Sequence, residues 1–383
     1  MGLIWKNTPD YLLDAARLGK ISQFRPALES GCLISNAAGT GVILKAGTII
    51  PLKSGGTWKA YEYTADTEAT ALDTGVLTLG ADYCVYLCDD GSDVGKLLIS
   101  ANVTAPSGYT TDNSVKIGGF HYGRVRIVNS DWVPVDGVNA VYGANATTPW
   151  EANVTTKIAP NSVWDMINRP ICDPAGMAKV GNFWMDIYPA SQSEAISVSN
   201  GKLAGGRCRS AYNATPLTGT ENLFFDIFNE LAARSGKYIP TYRQWKQGAE
   251  GSPQGNDGDN VNAWSATTNT GRNPTGGVER AISARNIVDC VGNVWEWTAS
   301  EVVRWDDTGA AGQAWGWKDS MSGQGVGQLY MYDEQALVNI LAGGHWINGL
   351  RAGSRCGDLS DYPWHVATYI GCRFACDSLK SVI

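Results

Sequence analysis

The stretch Asp289-Cys290-Val291-Gly292-Asn293-Val294-Trp295-Glu296-Trp297 constrains this chain more than any other. Two indoles flank a carboxylate, and a Gly-Asn pair sits just before them. Gly and Asn turn the backbone and interrupt regular structure. The Trp-Glu-Trp segment after this turn reads as a strand whose tryptophans face a core. Glu296 then needs a hydrogen-bonding partner, because an isolated buried carboxylate is too costly to keep. A second reading stays open on spacing. The carboxylates of Asp289 and Glu296, with the carbonyls of Gly292 and Val294, form an oxygen set that suits a hard cation such as calcium.

A buried strand of this kind requires a sizeable core, and 383 residues with 44% hydrophobic content supply one. Charged residues are scarce, at 17%, while Gly (45) and Trp (15) are plentiful. That mixture suits short strands and turns better than helical bundles. The net charge of −7, with no Lys/Arg cluster, argues against nucleic acid as a partner. No apolar run approaches ~20 residues, so no membrane span is expected. The start Met1-Gly2-Leu3-Ile4-Trp5-Lys6 is not a signal peptide, so synthesis in the cytoplasm is expected. Nine cysteines at scattered spacing, without CxxC, read as reduced buried thiols. Three histidines (His121, His345 and His365) form no HxH or HExxH pattern.

The chain divides into three parts. Residues 1–30 form an N-terminal arm, with a helix expected after Thr8 and Pro9. Residues 31–157 read as a small all-β, sandwich-like domain. Its strands are Gly41–Leu44, Thr48–Leu52, Ala60–Thr64, Asp82–Cys88, Lys96–Ser100 and Ser114–Tyr122. Residues 131–157 look like a link. Residues 158–383 form an α+β domain with two helices. One spans about Thr220–Ser235, with Leu223, Ile227 and Leu231 in period and Gly236 as its stop. The other runs over Tyr242–Ala249, with Thr241 and Gln244 as a capping box. Residues 251–280 read as loop, with an ion as one means of ordering them, and 304–330 also read as loop.

Near the end, Ala342-Gly343-Gly344-His345-Trp346 and Tyr369-Ile370-Gly371-Cys372-Arg373-Phe374-Ala375-Cys376 read as short strands. Between them lie Asn, Arg, Asp, Ser, His and Tyr among glycine turns. A polar loop held between strands is where recognition usually sits.

Taken together, the helix start at Thr241, the DxxGNVWEW stretch, Gly343-Gly344-His345-Trp346 and Gly371-Cys372-Arg373-Phe374-Ala375 resemble the formylglycine-generating-enzyme branch of the C-type lectin fold. Within it, the chain resembles the variable proteins of diversity-generating retroelements, the phage major tropism determinant among them. Asp82–Gly91 and Lys116–Tyr122 resemble the β-sandwich domain of that group, and Ser162–Asp165 and Phe183–Tyr188 the start of its lectin domain.

The resemblance implies a non-enzymatic receptor-recognition protein whose C-terminal site is diversified by a retroelement, with a variable region over about 343–376. It implies contact residues at His345, Ile347, Asn348, Arg351, Asp358, Ser360, Asp361, His365, Thr368 and Tyr369. The implied scaffold is Gly343, Gly344, Trp346, Gly353, Arg355, Pro363, Gly371, Arg373 and Cys376. It also implies a structural calcium on Asp289, Gly292, Val294 and Glu296. The enzymes of the branch hold copper on a cysteine pair. Asn348 and Gly353 stand at those positions here and Cys356 is displaced, so no copper is expected. The expected partner is a protein or glycan on a cell or phage-host surface. The expected place is a phage particle, or display by another route, with the oligomeric state open. The same resemblance leaves two alternatives: an oxidase of the formylglycine-generating type, and a fixed lectin at a phage tail tip.

Overall fold

The structure, a computed structural model, describes residues 3–4, 31–126, 154–253, 271–305, 315–319, 328–332, 335–348 and 351–379. The helix expected after Thr8 lies outside them. The chain falls into two compact units: Met1–Val125 with Thr156–Ala175 and Ser378–Ile383, and Arg126–Thr155 with Gly176–Asp377.

The first unit is built from short strands. They are Leu3–Ile4 (β1), Leu33–Ser35 (β2), Val42–Leu44 (β3), Thr48–Ser54 (β4), Thr57–Tyr63 (β5), Thr67–Ala69 (β6), Ala81–Cys88 (β7), Lys96–Ser100 (β8), Ser114–Arg126 (β9), Val154–Ile158 (β10) and Trp164–Asp165 (β11). They form sheets ordered β1-β5-β4, β2-β3-β6 and β10-β9-β7-β8, with β11 paired to β9. β7 explains its own apolar run. Tyr83, Val85 and Leu87 enter the main core with Val42, Leu44, Tyr61 and Ile99. The alternate residues Cys84, Tyr86 and Cys88 pack with Leu98 in a second cluster. Both faces are covered, so the period-two alternation of a half-exposed strand is lost.

The second unit contains Met177–Val180 (β12), Phe183–Asp186 (β13), Ala190–Ser199 (β14), Lys202–Ser210 (β15), Trp295–Trp305 (β16), Trp315–Asp319 (β17), Gln328–Tyr332 (β18), Gln335–Gly343 (β19), Gly353–Asp358 (β20), Ile370–Gly371 (β21) and Ala375–Asp377 (β22). The helices are Phe225–Arg234 (α1) and Tyr242–Ala249 (α2). The central sheet runs β20-β19-β16-β21, with β21 parallel to β16. A three-stranded sheet, β12-β13-β22, brings the chain end back beside β13.

α2 carries the expected capping box: Gln244 N–H donates to the Thr241 side chain, and the Gln244 side chain accepts from Thr241 N–H. α1 stops where expected, with Gly236 at φ +67°. Its start differs. Thr218–Asn222 forms a separate capped 3-10 turn that ends in a left-handed Asn222, so the helix begins only at Phe225. The stretch 304–330 is also not all loop. β17 lies within it and pairs with β18, which starts in it and runs on to Tyr332, from Trp315↔Tyr332 to Asp319↔Gln328. The described residues are mostly β with these two α-helices, so the helical share is smaller than the α+β expectation suggests.

Candidate ligand-binding face

The Trp-Glu-Trp segment is β16, and all three side chains are buried. Trp295 and Trp297 belong to the core that holds Phe228, Leu231, Ile370 and Phe374. Glu296 has 0% exposure and finds its partners inside the protein. Arg373 Nε donates to Glu296 Oε2 (2.6 Å) and Arg373 Nη2 to Oε1 (2.5 Å). Trp245 Nε1 on α2 also donates to Oε2 (2.7 Å). The remaining Arg373 donors reach the carbonyls of Asp186, Ile187 and Val288. Burial works against the guanidinium charge, but the contacts with Cys290 and Glu296 outweigh it and push the Arg373 pKa further up. This buried fork ties the chain end to β16, β13 and α2.

Two loops leave this frame. The first follows β19. Gly343 and Gly344 take φ of +92° and +87°, a conformation that L side chains rarely adopt. A Cβ on Gly343 would also collide with the Cys290 carbonyl. The turn then closes on itself: His345 N–H donates to Asn348 Oδ1 (2.6 Å) and Asn348 N–H to the His345 carbonyl (3.0 Å). Trp346 N–H donates to the Asn293 carbonyl (3.3 Å).

The second loop joins β20 to β21. Phe225 N–H donates to the Pro363 carbonyl (3.0 Å), Gly219 N–H to the Ala367 carbonyl (3.0 Å) and Trp295 N–H to the Tyr369 carbonyl (2.8 Å). Tyr242 OH donates to the Arg355 carbonyl (2.7 Å) at its edge. Each of these grips takes a backbone carbonyl, not a side chain.

The expected contact residues divide by exposure. Ile347, at 66%, Arg351, Ser360 and Thr368 are exposed. Asn348, Asp358, Asp361, His365 and Tyr369 are half-buried. Leu359, Tyr362 and Val366 are also exposed, although the sequence did not single them out. Asp361 accepts from His365 Nδ1, Asp358 accepts from the Ser360 hydroxyl and amide, and Tyr362 stacks on Trp364 (5.0 Å). Burial pushes the Asp361 carboxyl up, and its contact with His365 counteracts this in part.

His345 sits differently: it is only 7% exposed and stacks on Tyr369 at 4.7 Å. Its Nδ1 finds no partner. Burial therefore lowers its pKa from 6.5 to about 4, and the ring is neutral at pH 7.

Among the expected scaffold residues, Gly343, Gly344, Gly353, Pro363, Gly371, Arg373 and Cys376 are buried, Trp346 is half-buried and Arg355 is exposed. The structure brings the two loops' contact residues together at least through the His345–Tyr369 stack. Sequence reasoning missed Arg272 and Asn273, which bond to Glu221 and Asn293 at the described end of the 251–280 loop. Only the pattern Thr218-x-x-Glu221, a capping box, signalled part of that arrangement.

The two carboxylates expected for calcium are already engaged within the protein. Both Glu296 oxygens are taken by Arg373 and Trp245, and Asp289 Oδ2 accepts from Gly276 N–H (2.6 Å). Among the described residues no group of three or more His, Cys, Asp or Glu side chains is placed to hold a metal. An arginine at Glu296 supplies the positive charge that a cation would bring. All nine cysteines are free thiols. Cys356 has its pKa pushed up to about 11 by burial, so it is not a thiolate at neutral pH.

Residues 165–378 match the family described as Sulfatase-modifying factor enzyme 1-like domain, and residues 33–165 the one described as Mtd second domain. The chain is 28% identical to the tail fiber receptor-binding protein of Bordetella phage BPP-1, over 93% of this chain and 84% of that protein. It is similar to solved structures of Major Tropism Determinant variants. The M1 variant matches at a TM-score of 0.68 and 25% identity, and the I1 variant at 0.66 and 26%. Each match covers 92% of this chain and 84% of the other.

Proposed function

The chain belongs, through residues 165–378, to the family of Sulfatase-modifying factor enzyme 1-like domains, and on that premise we propose that it recognises a receptor on the surface of a phage host and carries out no reaction. The observation that carries this reading is the match to a tail fiber receptor-binding protein along 93% of the chain. The match to the Mtd second domain precedes the match to the Sulfatase-modifying factor enzyme 1-like domain, and the solved Major Tropism Determinant M1 variant aligns along 92% of this chain. The enzyme-like reading has no support here. Asn348 and Gly353 stand where copper thiolates would be needed, and Cys356 holds its proton.

We place the recognition face on Ile347, Asn348, Arg351, Asp358, Ser360, Asp361, His365, Thr368 and Tyr369, with His345 as a buried support beneath Tyr369. A protein target suits it better than a glycan. Ile347, Leu359 and Val366 offer aliphatic surface to solvent, which sugar hydroxyls satisfy poorly. The site is suited to diversification by a retroelement for a physical reason. Its second loop is held through the carbonyls of Pro363, Ala367 and Tyr369, so side chains there can change while the backbone stays in place.

Two experiments test the proposal. Purified protein should block adsorption of the phage to its host, and Ile347→Asp with Tyr369→Ala should abolish that block. Unchanged blocking by the doubly substituted protein would overturn the assignment of the face. In the genome, a near-copy of the segment encoding 343–376 should lie beside a reverse transcriptase gene and differ mainly at adenines. Its absence would remove diversification and leave recognition by a fixed site.

A further inference from the structure

The two loops of the face are separated by the six residues of β20, and both lead back to one pair of adjacent residues. Arg272 Nη1 donates to the Pro216 carbonyl (2.7 Å), Thr218 Oγ1 (3.0 Å) and Glu221 Oε2 (2.8 Å), and Nη2 donates to Glu221 Oε1 (2.6 Å). This fork fixes the 3-10 turn at Thr218–Asn222, and Gly219 in that turn holds the Ala367 carbonyl. A side chain on Gly219 would collide with the Ala367 backbone, so the two segments touch with no room between them.

The next residue works in the other direction. Asn273 N–H donates to Asn293 Oδ1 (2.9 Å), and the Asn273 carbonyl accepts from Asn293 Nδ2 (3.2 Å). Asn293 is buried and in turn holds Trp346 N–H through its own carbonyl.

We propose that Arg272 and Asn273 form a shared brace that positions both contact loops. They are positioning residues: neither belongs to the expected contact set. None of the bonds that reach the loops ends on a contact side chain, so the brace acts whatever residues the face carries. Its consequence for affinity rests on the proposed receptor recognition, because a loop that is ordered before binding loses less entropy on binding.

The test is amide hydrogen exchange on the full chain without any partner. Arg272→Gln should speed exchange of amides in 363–370 by about tenfold or more, as loss of a charge-assisted fork predicts, while 345–348 changes less than about twofold. Asn293→Gly keeps the left-handed backbone at φ +57° and deletes the amide. It should speed exchange in 345–348 and spare 363–370. Unchanged exchange in both loops would overturn the brace. So would equal acceleration throughout the unit, β12 and β13 included, since that marks a residue that only stabilises the fold. Should Arg272→Gln fail to fold, Arg272→Lys keeps the charge, loses the fork and is judged by the same pattern. With no partner present, failure here overturns the brace and leaves recognition standing, whereas failure of the adsorption assay does the reverse.

Discussion

From Ile370 to Cys376 every residue is buried, and the one charge, on Arg373, meets Glu296 with both at 0% exposure. In the twelve residues before it, 358–369, only Pro363 and Ala367 are buried. Those two are also the residues whose carbonyls accept from Phe225 and Gly219. The charged side chains of this loop bond within it: Asp358 to Ser360, and Asp361 to His365. The contrast separates two ways of holding a chain. The tail is held by side-chain identity, which cannot vary. The loop is held at a few backbone points, which leaves its side chains free to differ.

The contrast is easiest to break from the buried side. Arg373→Met should cost about 3–5 kcal/mol in urea unfolding, because it strands the Glu296 charge in the interior. Adding Glu296→Met should recover part of that loss, since two apolar residues leave no charge unpaired. No recovery would mean that packing, not charge, dominates there. Gly219→Ala comes next, at about 1–3 kcal/mol, because its Cβ must displace the Ala367 backbone. A shift in denaturation midpoint without faster exchange near Ala367 would contradict the proposed grip.

A pH effect is smaller and marks the boundary between the two regions. His345 has a folded pKa of about 4, below the ordinary 6.5, so the unfolded chain binds the extra proton first. Its contribution to stability is therefore complete above about pH 6.5 and is lost as pH falls towards 4. The slope from one such group is at most about 1.4 kcal/mol per pH unit. Urea midpoints at pH 7 and 5 should show it, and His345→Phe should flatten it. The smallest effect belongs to the exposed face. Ile347→Ser and Thr368→Ala should each change stability by less than about 0.5 kcal/mol while altering adsorption. A large stability loss at Ile347 would erase the distinction between frame and face.

Much of the fold was legible in the sequence where chemistry is local. The capping box at Thr241 and Gln244, the glycine stop at Gly236 and the strands at Lys96–Ser100 and Ser114–Tyr122, the latter running on to Arg126 in the structure, follow from neighbours in sequence. The strands β17 and β18 were not legible, because each is confirmed only by pairing with the other. Glu296 shows the same limit within one residue. Its need for a partner could be read from the two flanking tryptophans, but a cation and an arginine satisfy that need equally well on paper.

The sequence by itself determined that Asp289–Trp297 would form a turn and a buried strand, since Gly, Asn and Trp carry those preferences wherever they stand. Only the tertiary structure decided that Arg373, 77 residues on, neutralises Glu296. It also decided that Arg272 and Asn273 serve two loops at once. The reason is physical: a hydrogen bond between distant residues depends on where the fold brings them, and no local preference encodes that position.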